Sequence, residues 1–118
     1  MPALETSAHD SVFRITLNRP EVHNAMDPEM FVRLGDAWDT FRDDDGLRVA
    51  IVTGAGDRAF SAGADLKRLI PLTTGARQPE DEWDRRVLSD ASLGTKAFLR
   101  GEPLYKPIIA AVNGFCLA

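Results

Sequence analysis

The chain has 118 residues, 44% of them hydrophobic and 27% charged, a composition that is typical of one globular domain and excludes a disordered one. Its net charge of −4 argues against nucleic acid and anionic membranes as partners. No apolar run approaches the roughly 20 residues that span a bilayer, and the polar N-terminus lacks the features of an export signal. We therefore expect a cytoplasmic protein whose one cysteine, Cys116, is a buried structural thiol.

The first third of the sequence predicts a strand followed by a helix. Val12–Leu17 alternates apolar and polar residues, which is typical of a half-buried strand. Asp27 can cap a helix that begins with Pro28, a residue that suits the first helical position. One face of this helix carries large apolar side chains, namely Phe31, Leu34, Trp38 and Phe41. The helix should end at Asp43–Gly46, which we interpret as a solvated loop rather than a metal site.

The middle of the chain predicts a second strand and a glycine-rich turn. Val49–Thr53 is a β-branched apolar run, as expected for a strand covered on both faces. The order strand, helix, strand favours an α/β fold. Residues 54–63 read GAGDRAFSAG, a stretch rich in turn-forming residues that allow close backbone approach. A short helix is predicted over residues 64–70, beginning near Gly63 or Ala64 and ending at Pro71.

The last third predicts a loop, helices and a further strand. Residues 71–82 favour a loop, and a broken apolar pattern from Trp83 to Arg100 favours one or two helices interrupted at Gly94. Residues 108–112 read as another buried strand. The sequence closes on the apolar residues 115–118, without a polar cap. Because natural chain ends are usually exposed, we expect the sequence to be the N-terminal part of a longer polypeptide.

Common nucleotide, metal and nucleophile motifs fit this sequence poorly. Residues 54–59 match G-x-G-x-x-A of dinucleotide-binding folds, but the second strand that such a site needs has no counterpart here. No phosphate-binding P-loop string is present. No metal site is predicted, because His9, His23 and Cys116 do not share a ligand spacing. Ser61 does not lie in the nucleophile motif G-x-S-x-G.

The backbone of the turn at residues 61–64 is a candidate site by itself. A strand that turns into a helix here would present free N–H groups, and the small side chains would let a ligand approach. Such N–H groups can stabilise an oxyanion without any ionisable side chain. The alternative is an ordinary glycine-rich turn between a strand and a helix.

Three segments together resemble the crotonase family, the enoyl-CoA hydratase/isomerase superfamily. They are ITLNRPEVHNAM (residues 15–26), VAIVTGAGDRAFSAGADLKRL (residues 49–69) and KPIIAAVNGFCLA (residues 106–118). The string FSAGADLK is far more restrictive than a lone glycine motif, and the resemblance extends over most of residues 12–118. It implies a crotonase-like α/β fold of repeated ββα units. Residues 1–118 would be the N-terminal part of a single such domain, with the remainder after Ala118.

The resemblance also implies an acyl-CoA site. The backbone N–H of Ala64 would be the first donor to the thioester oxygen, and would stabilise an enolate-like intermediate. Backbone groups around Ala62, Ala64 and Leu66 would meet the adenine of a bent CoA. Asp65 and Lys67 would line the same stretch, with Lys67 near a phosphate. Residues 24–26 resemble the loop that flanks the pantetheine entrance.

The activity that the resemblance implies is that of an enoyl-CoA hydratase, which adds water across the 2,3-double bond of the thioester. Alternatives are an isomerase, dehalogenase, hydrolase or decarboxylase of the same family, or an inactive fragment that serves in assembly. The second N–H donor and the acid/base residues of the family would lie after Ala118. We expect no cofactor, since CoA is part of the substrate, and a homotrimer or a dimer of trimers when the chain is complete.

Overall fold

The computed structural model describes residues 1–101 and 103–117; Ala118, the last residue of the predicted N-terminal part, lies outside them. A short 3-10 helix at Pro20–Val22 precedes the first α-helix. The strands are β1 (Leu4–His9), β2 (Val12–Leu17), β3 (Val49–Gly54), β4 (Ala59–Ser61), β5 (Ile108–Ala111) and β6 (Phe115–Cys116). The helices are α1 (Pro28–Asp43), α2 (Ile70–Thr74), α3 (Glu82–Ser89) and α4 (Leu93–Ala97).

A four-stranded sheet with the order β1-β2-β3-β5 forms the centre of the fold. β1 pairs with β2 antiparallel, whereas the pairs β2–β3 and β3–β5 are parallel. β4 and β6 pair separately in a two-stranded parallel sheet. The chain therefore runs β1-β2-α1 and then β3-β4 followed by helices, which confirms the predicted α/β fold and its ββα units.

Helix α1 forms as the sequence predicts. The Asp27 side chain accepts a hydrogen bond from the Met30 N–H at 2.8 Å, and Pro28 occupies the first turn. Its predicted apolar face is buried, and the ring of Phe41 stacks on Phe13 of the sheet at 6.0 Å between centroids. The helix ends at Asp43, and the acidic residues that follow are exposed. Burial of this face against the sheet forms the main core.

Two local predictions are wrong. β1 was not predicted, because it buries only Leu4 and its exposed residues lack a hydrophobic pattern. The helix predicted over residues 64–70 is absent; Ala64 instead bridges to Met26, and the helix begins at Ile70 with Pro71 in its first turn. Gly63 and Asp65 both pair with Met26, which keeps Ala64 out of a helix, and the Asp65 carboxylate caps a turn at residues 66–69 by accepting from the N–H groups of residues 67 and 68.

The last described segments differ from their predicted burial. β5 is a strand at the edge of the sheet, but all four of its residues are exposed, so the predicted burial of this strand is wrong for the described residues. Cys116 is also exposed, so the prediction of a buried thiol is wrong. The two predicted helices between residues 83 and 100 are confirmed as α3 and α4, but Gly94 lies within α4 and the break falls at residues 90–92. Within the described ranges, no helix has the length and hydrophobicity needed to cross a membrane.

Candidate functional site

The predicted oxyanion segment, residues 61–65, lies alongside residues 23–26. Gly63 has a φ of +92°, a conformation that glycine adopts without strain, and this lets the chain turn between β4 and the bridge at Ala64. Four hydrogen bonds join the two segments: Ser61 Oγ to Asn24 O (3.1 Å), Ala62 N to His23 O (2.9 Å), Met26 N to Gly63 O (2.8 Å) and Asp65 N to Met26 O (2.9 Å). The structure thus brings together two segments that the sequence analysis assigned to one site.

The N–H of Ala64 is left outside this pairing. In the parallel bridge between Met26 and Ala64, the bonding groups belong to Gly63 and Asp65, so the peptide N–H of Ala64 points away from Met26. Among the residues that the structure describes, none accepts a hydrogen bond from this N–H. An unpaired backbone donor in a part-buried position is available to a ligand.

Ala64 lies between a groove and an apolar cavity. The groove, of about 300 Å³, is lined by Val22, Ala25, Ala62, Ala64, Asp65, Leu66 and Lys67. It therefore contains all five residues predicted to bind an acyl-CoA, together with Ala25 from the predicted pantetheine loop. The side chains of Leu66 and Lys67 are exposed along it. Their contact with a ligand remains a prediction.

The apolar cavity on the other side of Ala64 has a volume of about 290 Å³. Its walls come from the sheet, α1, the β4 segment and the last described residues: Leu17, Met26, Leu34, Trp38, Val52, Phe60, Ser61, Gly63, Ala64, Phe98, Cys116 and Leu117. The indole N–H of Trp38 donates to the carbonyl of Ala97 at 3.0 Å, so this polar atom is already paired. Such a lining suits an apolar group.

The Asp65 carboxylate is engaged within the protein. One oxygen accepts from the N–H groups of Lys67 (2.8 Å) and Arg68 (3.0 Å), and the other forms an ion pair with Arg19 at 2.9 Å. Burial raises the pKa of Asp65, but the hydrogen bonds from Arg19 and the two backbone N–H groups outweigh it and hold the pKa below its ordinary value. The carboxylate is therefore charged and holds the turn that follows Ala64.

Two asparagines hold the loop before β4 through hydrogen bonds. The sequence analysis did not predict this role for either of them. Asn24 is fully buried; its amide donates to the carbonyls of Ala55 (3.1 Å) and Ala59 (3.0 Å). Asn113 accepts from the N–H of Gly54 at 3.1 Å and donates to carbonyls of the same loop. These contacts span 31 to 59 residues, so no local signal could reveal them. A short strand, not a helix, follows this loop, which removes the dinucleotide-site alternative.

Comparisons with known proteins place this site in a family. Residues 7–118 match the profile of the family described as Enoyl-CoA hydratase/isomerase. The chain is 38% identical over 114 residues to (E)-benzylidenesuccinyl-CoA hydratase of Thauera aromatica, with 97% of this chain and 40% of that protein covered. It is 40% identical over 116 residues to carnitinyl-CoA dehydratase of Salmonella arizonae, with 96% of this chain and 39% of that protein covered. The chain belongs to the enoyl-CoA hydratase/isomerase family, and it spans about 40% of the length of these relatives.

Solved structures of the same kind share the fold. An enoyl-CoA hydratase/isomerase from Mycobacterium paratuberculosis superposes with a TM-score of 0.75 at 32% identity, covering 97% of this chain and 42% of that one. A probable enoyl-CoA hydratase/isomerase from Mycobacterium abscessus gives a TM-score of 0.74 at 36% identity, covering 100% of this chain and 40% of that one. The crotonase-like α/β fold is confirmed over this shared part.

Proposed function

We propose that these residues are the N-terminal part of an acyl-CoA enzyme of the enoyl-CoA hydratase type. The reaction is addition of water across the 2,3-double bond of an enoyl-CoA thioester. The observation that carries the proposal is the unpaired N–H of Ala64, placed between an apolar cavity and a groove lined by the predicted CoA-binding residues. The relatives named as a CoA-thioester hydratase and dehydratase support the same reaction class.

The Ala64 N–H acts on the charge that develops during the reaction. Attack of water at C3 moves electrons through the double bond onto the thioester oxygen, which becomes an enolate oxygen. A fixed donor stabilises that oxygen more than it stabilises the neutral carbonyl of the substrate, and this difference lowers the barrier. The apolar cavity takes the acyl group in this proposal, because its lining is mostly apolar.

The groove holds the CoA portion of the substrate. Ala62, Ala64 and Leu66 offer backbone groups toward the adenine, and Lys67 offers a cation to a phosphate at the exposed rim. Asp65 contributes by holding the turn, because its carboxylate is already paired. CoA is part of the substrate, so the proposal needs no separate cofactor. A cytoplasmic location and a homotrimer or dimer of trimers remain part of the proposal.

The proton-transfer groups are proposed to lie in the sequence that follows residue 118. Asp57 is exposed on the loop before β4, and Asp65 is committed to Arg19 and two backbone N–H groups. Asp57 lines neither the groove nor the cavity and Asp65 is already paired, so we assign the attacking water to neither carboxylate. The family resemblance assigns the second N–H donor to the same later region, so residues 1–118 supply one half of the oxyanion site.

Ala64→Pro tests the proposal in the complete polypeptide, because proline removes the N–H that we assign to the oxyanion; it also fixes φ at position 64 and restricts Gly63, so the fold of the variant must be checked. Loss of one such donor typically lowers kcat by about 10²–10³-fold. Ala64→Ser keeps the N–H and should retain most of the activity. Hydration of crotonyl-CoA is followed by absorbance, with circular dichroism to show that each variant is folded. A folded Ala64→Pro variant as active as its parent would refute the assignment.

A spectroscopic measurement supports the same test without altering the site. In protein labelled with ¹⁵N-alanine, the amide resonance of Ala64 should shift on addition of crotonyl-CoA and shift less with CoA alone. The amide of Ala62, which donates to the His23 carbonyl, serves as an internal reference for the groove. An Ala64 resonance that does not shift on addition of crotonyl-CoA would also refute the assignment.

A further inference from the structure

Arg19 links three segments around the candidate site, although it lies 45 positions before Ala64 in the sequence. Its side chain is 17% exposed. One guanidinium nitrogen, Nη1, lies 2.9 Å from Asp65 Oδ2 and 2.7 Å from the carbonyl oxygen of Ala25, and Nε lies 3.5 Å from the N-cap residue Asp27. The guanidinium therefore joins the turn after Ala64, the loop at residues 23–26 and the beginning of α1.

These contacts fix the peptide that carries the Ala64 N–H. The residue that follows, Asp65, is held through its carboxylate by Arg19 and through its N–H by the Met26 carbonyl. The preceding residue, Gly63, is held through its carbonyl by the Met26 N–H. Ala64 lies between the two and has no hydrogen bond of its own through its N–H among the described residues. The direction of this N–H is consequently set by its neighbours.

We propose that Arg19 is a positioning residue for the Ala64 N–H, acting through Asp65 and the Ala25 carbonyl. The inference rests on the proposed function of Ala64. Arginine suits the task because its guanidinium presents several N–H groups in a fixed plane and can bind a carboxylate and a carbonyl at the same time. A lysine ammonium would keep the charge without that fixed geometry.

The expected loss of kcat on replacing Arg19 follows from how precisely an oxyanion donor must be placed. A preorganised donor lowers the barrier because it requires no reorganisation during the reaction, and a misplacement of about 1 Å can cost about 10²-fold in rate. Arg19 itself lines neither the groove nor the cavity, and it contacts the groove only from behind, through the lining residues Ala25 and Asp65. Its loss should therefore reduce kcat more than it weakens binding of the CoA portion.

The experiment measures kcat and KM for crotonyl-CoA in the complete polypeptide carrying Arg19→Gln, Arg19→Lys, Asp65→Asn or the pair Arg19→Gln/Asp65→Asn. Arg19→Gln is expected to lower kcat by about 10- to 10²-fold, with KM changing by less than about threefold. Arg19→Lys should recover part of the loss. The paired variant should lose no more than the larger single loss, because both changes break the same contact.

Arg33→Gln is the matched control. Arg33 forms an ion pair with Glu29 at 2.8 Å on the first turns of α1, so its loss also removes an ion pair near this end of the helix, without touching residues 61–65. It should leave kcat unchanged, with a smaller change in Tm because Arg33 is more exposed than Arg19. The ¹⁵N resonance of Ala64 should move in Arg19→Gln and stay in place in Arg33→Gln.

The outcomes separate this inference from the proposed function. If Ala64→Pro loses activity and folded Arg19→Gln keeps its kcat, the positioning role is refuted and the function of Ala64 stands. If folded Ala64→Pro keeps full activity, the assignment of its N–H to the oxyanion is refuted whatever Arg19 does, and the positioning role falls with it. If Arg19→Gln does not fold, Arg19→Lys decides: an unchanged kcat and an unmoved Ala64 resonance refute the role, and a lowered kcat with a moved resonance supports it.

Discussion

Asp65 connects the chemistry of the candidate site with the stability of the fold. Its carboxylate is almost fully buried and is charged because Arg19 and two backbone N–H groups lower its pKa below the ordinary value of 3.8, against the opposing effect of burial. A carboxylate with a lowered pKa stabilises the folded state fully above its unfolded pKa. That contribution is lost as the pH falls through the lowered, folded-state pKa.

Asp65→Asn should therefore destabilise the protein in a pH-dependent manner. At about pH 7 the variant should lose about 1–3 kcal/mol of unfolding free energy, since a charged acceptor of three hydrogen bonds is replaced by a neutral one. The difference should shrink as the pH falls below 3.8. Urea unfolding of both proteins across this range measures it, with the exposed Asp57→Asn as control. A difference that is the same at all pH values would contradict this account.

The placement of residues in the candidate site was predictable from the sequence only where a motif indicated it, and their roles stay predictions. Ala64 was assigned through the string FSAGADLK, and the structure places it with Ala62, Leu66 and Lys67 along one groove. The contact between Arg19 and Asp65 could not be predicted from the sequence, because the two residues are 46 positions apart. Single-sequence patterns report periodicity and local caps, whereas a long-range hydrogen bond leaves no trace in them.

At the scale of elements, α1 and α4 pack closely at a glycine. Gly35 is buried in α1, and a Cβ built on it would lie 2.8 Å from Cδ1 of Leu93, a side chain that is 1% exposed. The indole of Trp38 also donates to the carbonyl of Ala97 across this contact. The close packing of α4 on α1 thus depends on the absence of a side chain at Gly35.

Gly35→Ala should weaken this contact more than it helps the helix. Alanine gains about 1 kcal/mol of helix propensity, and overpacking against a buried leucine costs about 1–3 kcal/mol. We expect a net loss of about 1 kcal/mol in urea unfolding. In a Leu93→Ala background the obstructing methyl is gone, so Gly35→Ala should be neutral or stabilising there. Additive effects of the two substitutions would show that the helices are not in contact at this point.

The predictability of each element follows the strength of its local signal. β2 has the predicted bounds, and α1 begins and ends where its caps indicated, because periodicity and capping agree at these places. β3 extends the predicted strand by one residue, to Gly54. The helix predicted after Gly63 is absent because Gly63 and Asp65 pair with Met26, a residue distant in the sequence, and this contact holds Ala64 in a bridge.

At the scale of the whole molecule, one side of the fold is open. All four residues of β5 are apolar and exposed. In the same region, more than half of the surface is exposed in each of Ile109, Val112, Phe115 and Leu117. The sequence predicted burial for this region because β-branched runs usually lie inside α/β folds. The chain spans about 40% of the length of its relatives, and the residues that would cover this side are proposed to lie in the remaining part.

The 118-residue chain by itself should be catalytically inactive. In the proposed function it supplies one oxyanion donor and no proton-transfer group. Absence of the second donor costs about 10²–10³-fold in rate, and absence of the acid/base groups costs about another 10²–10⁴-fold. Two such losses in one active site need not be additive, but both lower the rate.

Purified 118-residue chain should therefore leave crotonyl-CoA unhydrated in an absorbance assay, while the complete polypeptide hydrates it. The ¹⁵N resonance of Ala64 in the short chain should still respond to crotonyl-CoA if its groove and cavity are formed, because binding needs fewer groups than turnover. The uncatalysed rate, measured without protein, provides the baseline for the assay. Turnover by the short chain above that baseline would mean that residues 1–118 contain their own acid/base group, and would contradict the assignment of proton transfer to the later sequence.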